Sequence, residues 1–114
     1  MAYKNTIAAV PYGSLASSSV TSSYQLVQTL PNACFLLRIN NFTSQILIIS
    51  YDGVTDHDQV DTRTSLNVYG GNAGSSPQTS TCLWPIGTQV WIRGTAGTGA
   101  VTVAGYYQPV LGGE

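Results

Sequence analysis

Gly87-Thr88-Gln89-Val90-Trp91-Ile92-Arg93-Gly94, and after a short gap Gly97-Thr98-Gly99-Ala100-Val101-Thr102-Val103-Ala104-Gly105-Tyr106-Tyr107, is the stretch whose reading decides the fold class. Successive side chains of a β-strand point to opposite faces. In the first run Val90 and Ile92 share a core-facing phase, while Gln89, Trp91 and Arg93 share the other. In the second run Val101, Val103, Gly105 and Tyr107 form the core phase, leaving Ala100, Thr102, Ala104 and Tyr106 outside. The period is two, which predicts strands rather than helix. Gly94 to Gly99, between the two runs, reads as a hairpin loop.

The same rhythm extends over the chain. Strands are expected near Asn5–Val10, Val20–Gln28, Cys34–Asn40, Gln45–Tyr51, His57–Asp61, Ser65–Tyr69, Thr88–Arg93 and Ala100–Tyr107, with a short piece at Thr81–Trp84. Asn40-Asn41 and Asp52-Gly53 tolerate the positive φ that tight hairpins demand. Ser14 to Ser23 is a low-complexity polar stretch and reads as an exposed arm or loop. Tyr69 to Pro77 reads as the longest loop of the second half. About eight short antiparallel strands at this spacing describe an all-β fold, a single β-sandwich or jelly roll over residues 1–114, with 1–23 a partly extended N-terminal arm and loop.

Two strands carry more than a fold signal. In Cys34–Asn40, Phe35, Leu37 and Ile39 face inward and Leu36 and Arg38 outward. Gln45–Tyr51 is apolar on both faces. A sandwich strand normally keeps one wet face, so this one calls for a second cover, either the N-terminal arm or another subunit. Trp, Tyr and Arg anchor interfaces. The candidate interface residues are therefore Trp91, Arg93, Arg38, Tyr106 and Leu36.

Composition limits the partners. Charged residues are only 8% of the 114, against roughly 25% in typical soluble domains, while 43% are hydrophobic. Little charge means little electrostatic protection against association, so the working state is expected to be an assembly, a dimer or trimer of the chain with itself. Lys4, Arg38, Arg63 and Arg93 are scattered singly and the net charge is -1, which argues against nucleic acid, whose binding requires several phosphates to be neutralised together. The longest wholly aliphatic run, Ile46 to Ile49, is far too short to cross a bilayer, so no membrane partner is expected. Ile7 to Val10 is too short for a secretory signal, which makes synthesis in a cytoplasm the expectation. Cys34 and Cys82 are too few for a disulfide framework and read as buried thiols, although a bridge between them stays open.

Catalytic chemistry has few places to sit. The one histidine, His57, lies in Asp52-Gly53-Val54-Thr55-Asp56-His57-Asp58, where neighbouring turn residues point apart and do not set up a relay. Cys34 with His57 would make a thiolate pair, but no surrounding motif supports one. The chain is therefore not expected to be an enzyme. Asp52, Asp56, Asp58 and Asp61 do not follow the EF-hand spacing and read as an Asp-rich hairpin, and one histidine with two distant cysteines is a poor zinc set. Gly94 to Gly99 lacks the Lys-Ser/Thr and the helix that follow a phosphate loop. No metal or cofactor is expected. Asn41-Phe42-Thr43 fits the glycosylation pattern but reads as a polar turn.

Leu37-Arg38-Ile39-Asn40-Asn41-Phe42-Thr43 and Ile48-Ile49-Ser50-Tyr51-Asp52-Gly53-Val54-Thr55-Asp56-His57 resemble segments of small structural proteins of tailed bacteriophages. In those, an R-I-x-N-x-T strand and turn leads to an S-[FY]-D-G-x-x-D-H hairpin. Gly87 to Gly94 and Gly97 to Val103 are similar to their later G-T-x-[VI]-[YW]-[VI]-[KR] and G-[TS]-G-x-V-x-V strands, and Tyr106-Tyr107 to their end. The likeness covers roughly residues 34–107. The long loop after Tyr69 and Pro85 before Gly87 depart from it.

The nearest role the resemblance implies is that of a capsid cement, or decoration, protein of short-tailed phages. Such a protein is a jelly roll or similar sandwich that sits as a dimer or trimer on the outer capsid surface and clamps neighbouring copies of the major capsid protein. A head–tail connector, tail or fibre-attachment component is the alternative within the virion. A carbohydrate-binding sandwich is the alternative from another class, suggested by Trp84, Trp91, Tyr106 and Tyr107.

Overall fold

The computed structural model describes residues 7–69, 71–72 and 81–108. In chain order the strands are β1 (Ala8–Ala9), β2 (Gly13–Ala16), β3 (Gln25–Thr29), β4 (Leu36–Asn41), β5 (Leu47–Ser50), β6 (Asp58–Val60), β7 (Thr64–Tyr69), β8 (Gly71–Asn72), β9 (Thr81–Cys82), β10 (Gln89–Gly94) and β11 (Ala100–Tyr107), with a 3-10 turn at Ser17–Ser19. A five-stranded sheet runs β1-β11-β4-β7, with β2 also on β11; a four-stranded sheet runs β3-β10-β5-β6; β8 and β9 form a separate ribbon. Every pairing is antiparallel, and the two larger sheets pack face to face as a β-sandwich.

The core follows the expected alternation except at Phe35, which is only partly buried. Leu37 and Ile39 of β4 and Val101 and Val103 of β11 meet Leu47 and Ile49 of β5 and Val90 and Ile92 of β10, all with zero exposure. Each such side chain contributes about 1.5–3 kcal/mol by leaving water. Cys34 is buried and free, and donates its thiol to the Asn32 carbonyl at 3.3 Å. Burial pushes that thiol up from its ordinary pKa, opposite to what a nucleophilic thiolate needs. The side chain of Cys82 and most of the loop expected at 69–77 lie outside the described residues, as do residues 1–6 of the arm.

Two connections expected to be hairpins are arches between the sheets. β10 and β11 do not pair with each other: β10 lies between β3 and β5, and β11 between β4 and the β1/β2 edge. β4 and β5 likewise fall in different sheets. Val90/Ile92 and Val101/Val103 thus face each other across the core rather than side by side. Of the three expected hairpins, the one at Asp52-Gly53 joins paired strands, β5 to β6, with Gly53 at φ 77°. The two arches brace one another: Phe42 N–H donates to the Ala100 carbonyl at 3.0 Å and Ser44 N–H to the Thr98 carbonyl at 3.1 Å. Gly99 sits at φ 88°, and a Cβ there would run into the Phe42 carbonyl oxygen, so the approach requires glycine.

Asn41 does a different job from the one read for it. Among the described non-glycine residues only Arg63, in the β6–β7 turn, has positive φ. Asn41 instead buries its side chain fully, donating to the carbonyls of Gln45 (2.9 Å), Asp61 (3.0 Å) and Val60 (3.3 Å) and accepting from the Thr43 N–H and hydroxyl. It ties the β4–β5 arch to the β6–β7 corner, and its own buried amide is paired at both ends. An amide so enclosed is closed to glycosylation in the folded chain.

The 14–23 stretch is not simply an exposed arm or loop. Gly13–Ala16 pairs with Val103–Ala100 of β11, Ser17 is fully buried, and Val20 joins the core. The strand expected from residue 20 begins at Gln25. Serine-rich composition hid these contacts because the strand supplies backbone hydrogen bonds, with only Leu15 packing from its inward face.

Candidate functional site

The two outer faces of the sandwich are the surfaces on which the five candidate residues sit, and they divide between them. Trp91 and Arg93 lie on the outside of the four-stranded sheet, where Trp91 is in register with Leu26 and Ser50 and Arg93 with Ile48. Leu36, Arg38 and Tyr106 lie together on the outside of the five-stranded sheet.

On the four-stranded side, the 51–57 loop folds back over the sheet. Its first turn is built by Asp52, whose carboxylate accepts from the N–H groups of Val54 and Thr55, both at 2.8 Å, and from the Ser50 hydroxyl at 2.9 Å. These donors, Thr55 first, hold the Asp52 carboxyl well below the usual carboxylate range. Gly53 rests on the Trp91 indole: a Cβ at 53 would lie 3.1 Å from the ring. The far side of the loop is clasped by Asp56, which accepts from both Arg93 Nε (3.0 Å) and Arg93 Nη2, and from the Tyr24 hydroxyl. Arg93 is the main cause of the depressed Asp56 carboxyl, with Tyr24 next. The Arg93 guanidinium also lies 5.7 Å above the Tyr24 ring. The Trp91 Nε1 is covered, with no hydrogen-bond partner among the described residues.

The 51–57 loop supplies part of the second cover that Gln45–Tyr51 calls for: Asp56 and His57 lie beside Ile48, while Ile46 stays 46% exposed. The loop also carries the polar cluster beside Ile48. His57 Nδ1 accepts the Tyr51 N–H at 3.0 Å, the two rings stack at 5.4 Å, and the Tyr51 hydroxyl donates to Asp58 at 2.7 Å. Burial first, and Asp58 second, raise the Tyr51 phenol above its ordinary pKa. Tyr51 in turn packs on Trp84, at 4.8 Å, whose Nε1 donates to the Val68 carbonyl at 3.3 Å. Among the described residues no three His, Cys, Asp or Glu side chains gather as metal ligands, and no helix is long and apolar enough to cross a membrane.

On the five-stranded side no described segment folds back. Tyr106, Leu36 and Tyr69 stand in one row across β11, β4 and β7, with Ala104, Arg38 and Asn67 in the next. Ile7 and Phe35 complete a shallow groove of about 440 Å³ over these rows. Tyr69 is 70% exposed and Ile7 71%. A third row is polar: Asn40 donates to Thr102 at 3.2 Å and accepts from Ser65 at 2.7 Å and from Arg38 Nε at 3.1 Å. Arg38 is held by this row and has no carboxylate partner among the described residues.

Ile7, Asn67 and Tyr69 are groove residues that composition and spacing do not single out, and Phe35, expected to face inward, lines the groove instead because it precedes the strand, which begins at Leu36. Tyr69 and Asn67 share the outward phase of β7, so alternation marks them, but only the β11-β4-β7 register places them beside Leu36 and Arg38. Of the four aromatics suggesting a sugar platform, Trp84 and Trp91 are committed inside the molecule and Tyr107 packs against the core. Tyr106 alone remains on an open face. No known family, no curated protein and no solved structure matches this chain.

Proposed function

We propose that the chain is a structural binding module that docks through the outer face of its five-stranded sheet, and specifically a virion capsid cement protein that bridges copies of the major capsid protein on the outer shell. The observation that carries the docking is the row Tyr106–Leu36–Tyr69, covered by no other described element, with Arg38 beside it, a mixture of aromatic, aliphatic and arginine side chains of the kind that anchors interfaces. The capsid assignment rests on the likeness of residues 34–107 to phage structural proteins. The stabilisation is mass action: a partner that binds only the assembled shell adds about 2.7 kcal/mol per site at 100-fold saturation.

Copy number in purified particles of the virus that encodes the chain tests this. Cement requires copies comparable in number to the capsid subunits. A dozen or fewer would indicate a connector or tail component, and none would remove the virion reading. The sugar-binding reading keeps one open-face aromatic of its original four, and a glycan array without a hit would close it.

A further inference from the structure

The charges of the described chain are sorted unevenly. Arg93 is held by Asp56, and Asp52 and Asp58 are engaged within or beside the 51–57 loop on the other sheet. The groove over the five-stranded sheet contains one charge, Arg38, and no carboxylate among its lining residues. Arg38 is also oriented: its Nε donates to Asn40 Oδ1, which Ser65 holds from the next strand, while its two terminal nitrogens have no acceptor among the described residues. A guanidinium fixed at one nitrogen and open at the other two presents a fork matched to a carboxylate. Leu36, Tyr69 and Tyr106 flank that fork with apolar surface.

A second copy docked groove to groove would oppose two guanidinium groups with nothing to neutralise them, so self-association through this face is disfavoured. We propose that the occupant is a protein segment in which one Asp or Glu lies between aliphatic residues. Its carboxylate would sit on the terminal nitrogens of Arg38, and its aliphatic neighbours against Leu36, Tyr69 and Tyr106. This names the partner chemistry of the docking face and rests on the reading of that face given above.

The probe is the peptide acetyl-Leu-Asp-Leu-amide, titrated into the isotopically labelled full chain and followed by NMR, with acetyl-Leu-Asn-Leu-amide as its neutral control. Chemical-shift changes are expected to gather at Leu36, Arg38, Asn67, Tyr69 and Tyr106, with binding about tenfold or more weaker for the control or for Arg38→Gln. No binding of the Asp peptide, equal binding of the two peptides, or an unaffected Arg38→Gln variant overturns the inference. Particle occupancy of two variants separates it from the docking reading. Loss of occupancy in both Arg38→Gln and Tyr69→Ser supports both. Loss in Tyr69→Ser alone keeps the docking face and removes the carboxylate. No loss in either removes both.

Discussion

On the four-stranded sheet, Trp91 and Arg93 point outward and are met by the chain's own 51–57 loop; on the five-stranded sheet, Leu36, Arg38 and Tyr106 point outward and are met by no other described element. Both sets alternate with core residues in the same way, and both mix an arginine with large apolar side chains. What separates them is a hairpin that carries a carboxylate to one arginine and leaves the other without one. An outward phase therefore does not make a surface available. Availability is decided by the connections, and here one loop takes an aromatic–arginine pair into the fold's own stability.

Trp91→Ala breaks this comparison most forcefully. The indole fills the space beneath Gly53, so its removal is expected to cost about 3 kcal/mol of stability in urea denaturation, while groove binding by the folded fraction stays normal. A loss below about 0.5 kcal/mol would mean that Trp91 is an open surface residue after all.

Gly53→Val acts on the same contact from the other side. A β-branched residue at φ 77° is strained, and its Cβ meets the indole. The expected cost is roughly 1–2 kcal/mol or more, read from the same denaturation curves. An unchanged midpoint would show that the loop does not rest on Trp91.

Acid sharpens the comparison, because the clasp is ionic on one face only. Asp52 and Asp56 have folded pKa values below their ordinary value near 4, so each binds fewer protons folded than unfolded. Their stabilisation is fully present above about pH 5 and is lost as pH falls through the folded values. The melting temperature is expected to drop between about pH 5 and pH 2, with a change in Trp91 fluorescence, and Asp56→Asn should flatten part of the drop. A melting temperature constant down to pH 2 would contradict the clasp.

The sandwich was legible because alternation marks core residues whichever sheet they come from. Val90, Ile92, Val101 and Val103 were placed inside on that ground alone. The same property hid the topology: strands that face one another across a core alternate just as hairpin partners do, so Gly94 to Gly99 and Asn40-Asn41 read as hairpins when they are arches. Asn41 was expected to contribute a backbone angle and contributes a buried amide. The site was legible by half. Alternation groups Leu36, Arg38 and Tyr106 with Trp91 and Arg93 as one outward set; Tyr69 and Asn67 join the first three only through strand register, and Trp91 and Arg93 are half-buried by a loop fold-back that alternation does not register.

The smallest stability effect belongs to the open face. Tyr69→Ser is expected to stay within about 0.5 kcal/mol of the parent chain, because a side chain 70% exposed gives up little on removal. A larger loss would place Tyr69 in the packing rather than in the groove.

Hydroxyl-radical footprinting of the free and particle-bound protein, read residue by residue by mass spectrometry, compares the two faces in one experiment. Ile7, Tyr69 and Tyr106 should be oxidised in the free protein and protected on the particle, while Trp91 should be oxidised weakly in both states. Equal oxidation of Tyr69 and Tyr106 in the two states, with protection appearing instead over residues 48–57, would contradict docking through the five-stranded sheet.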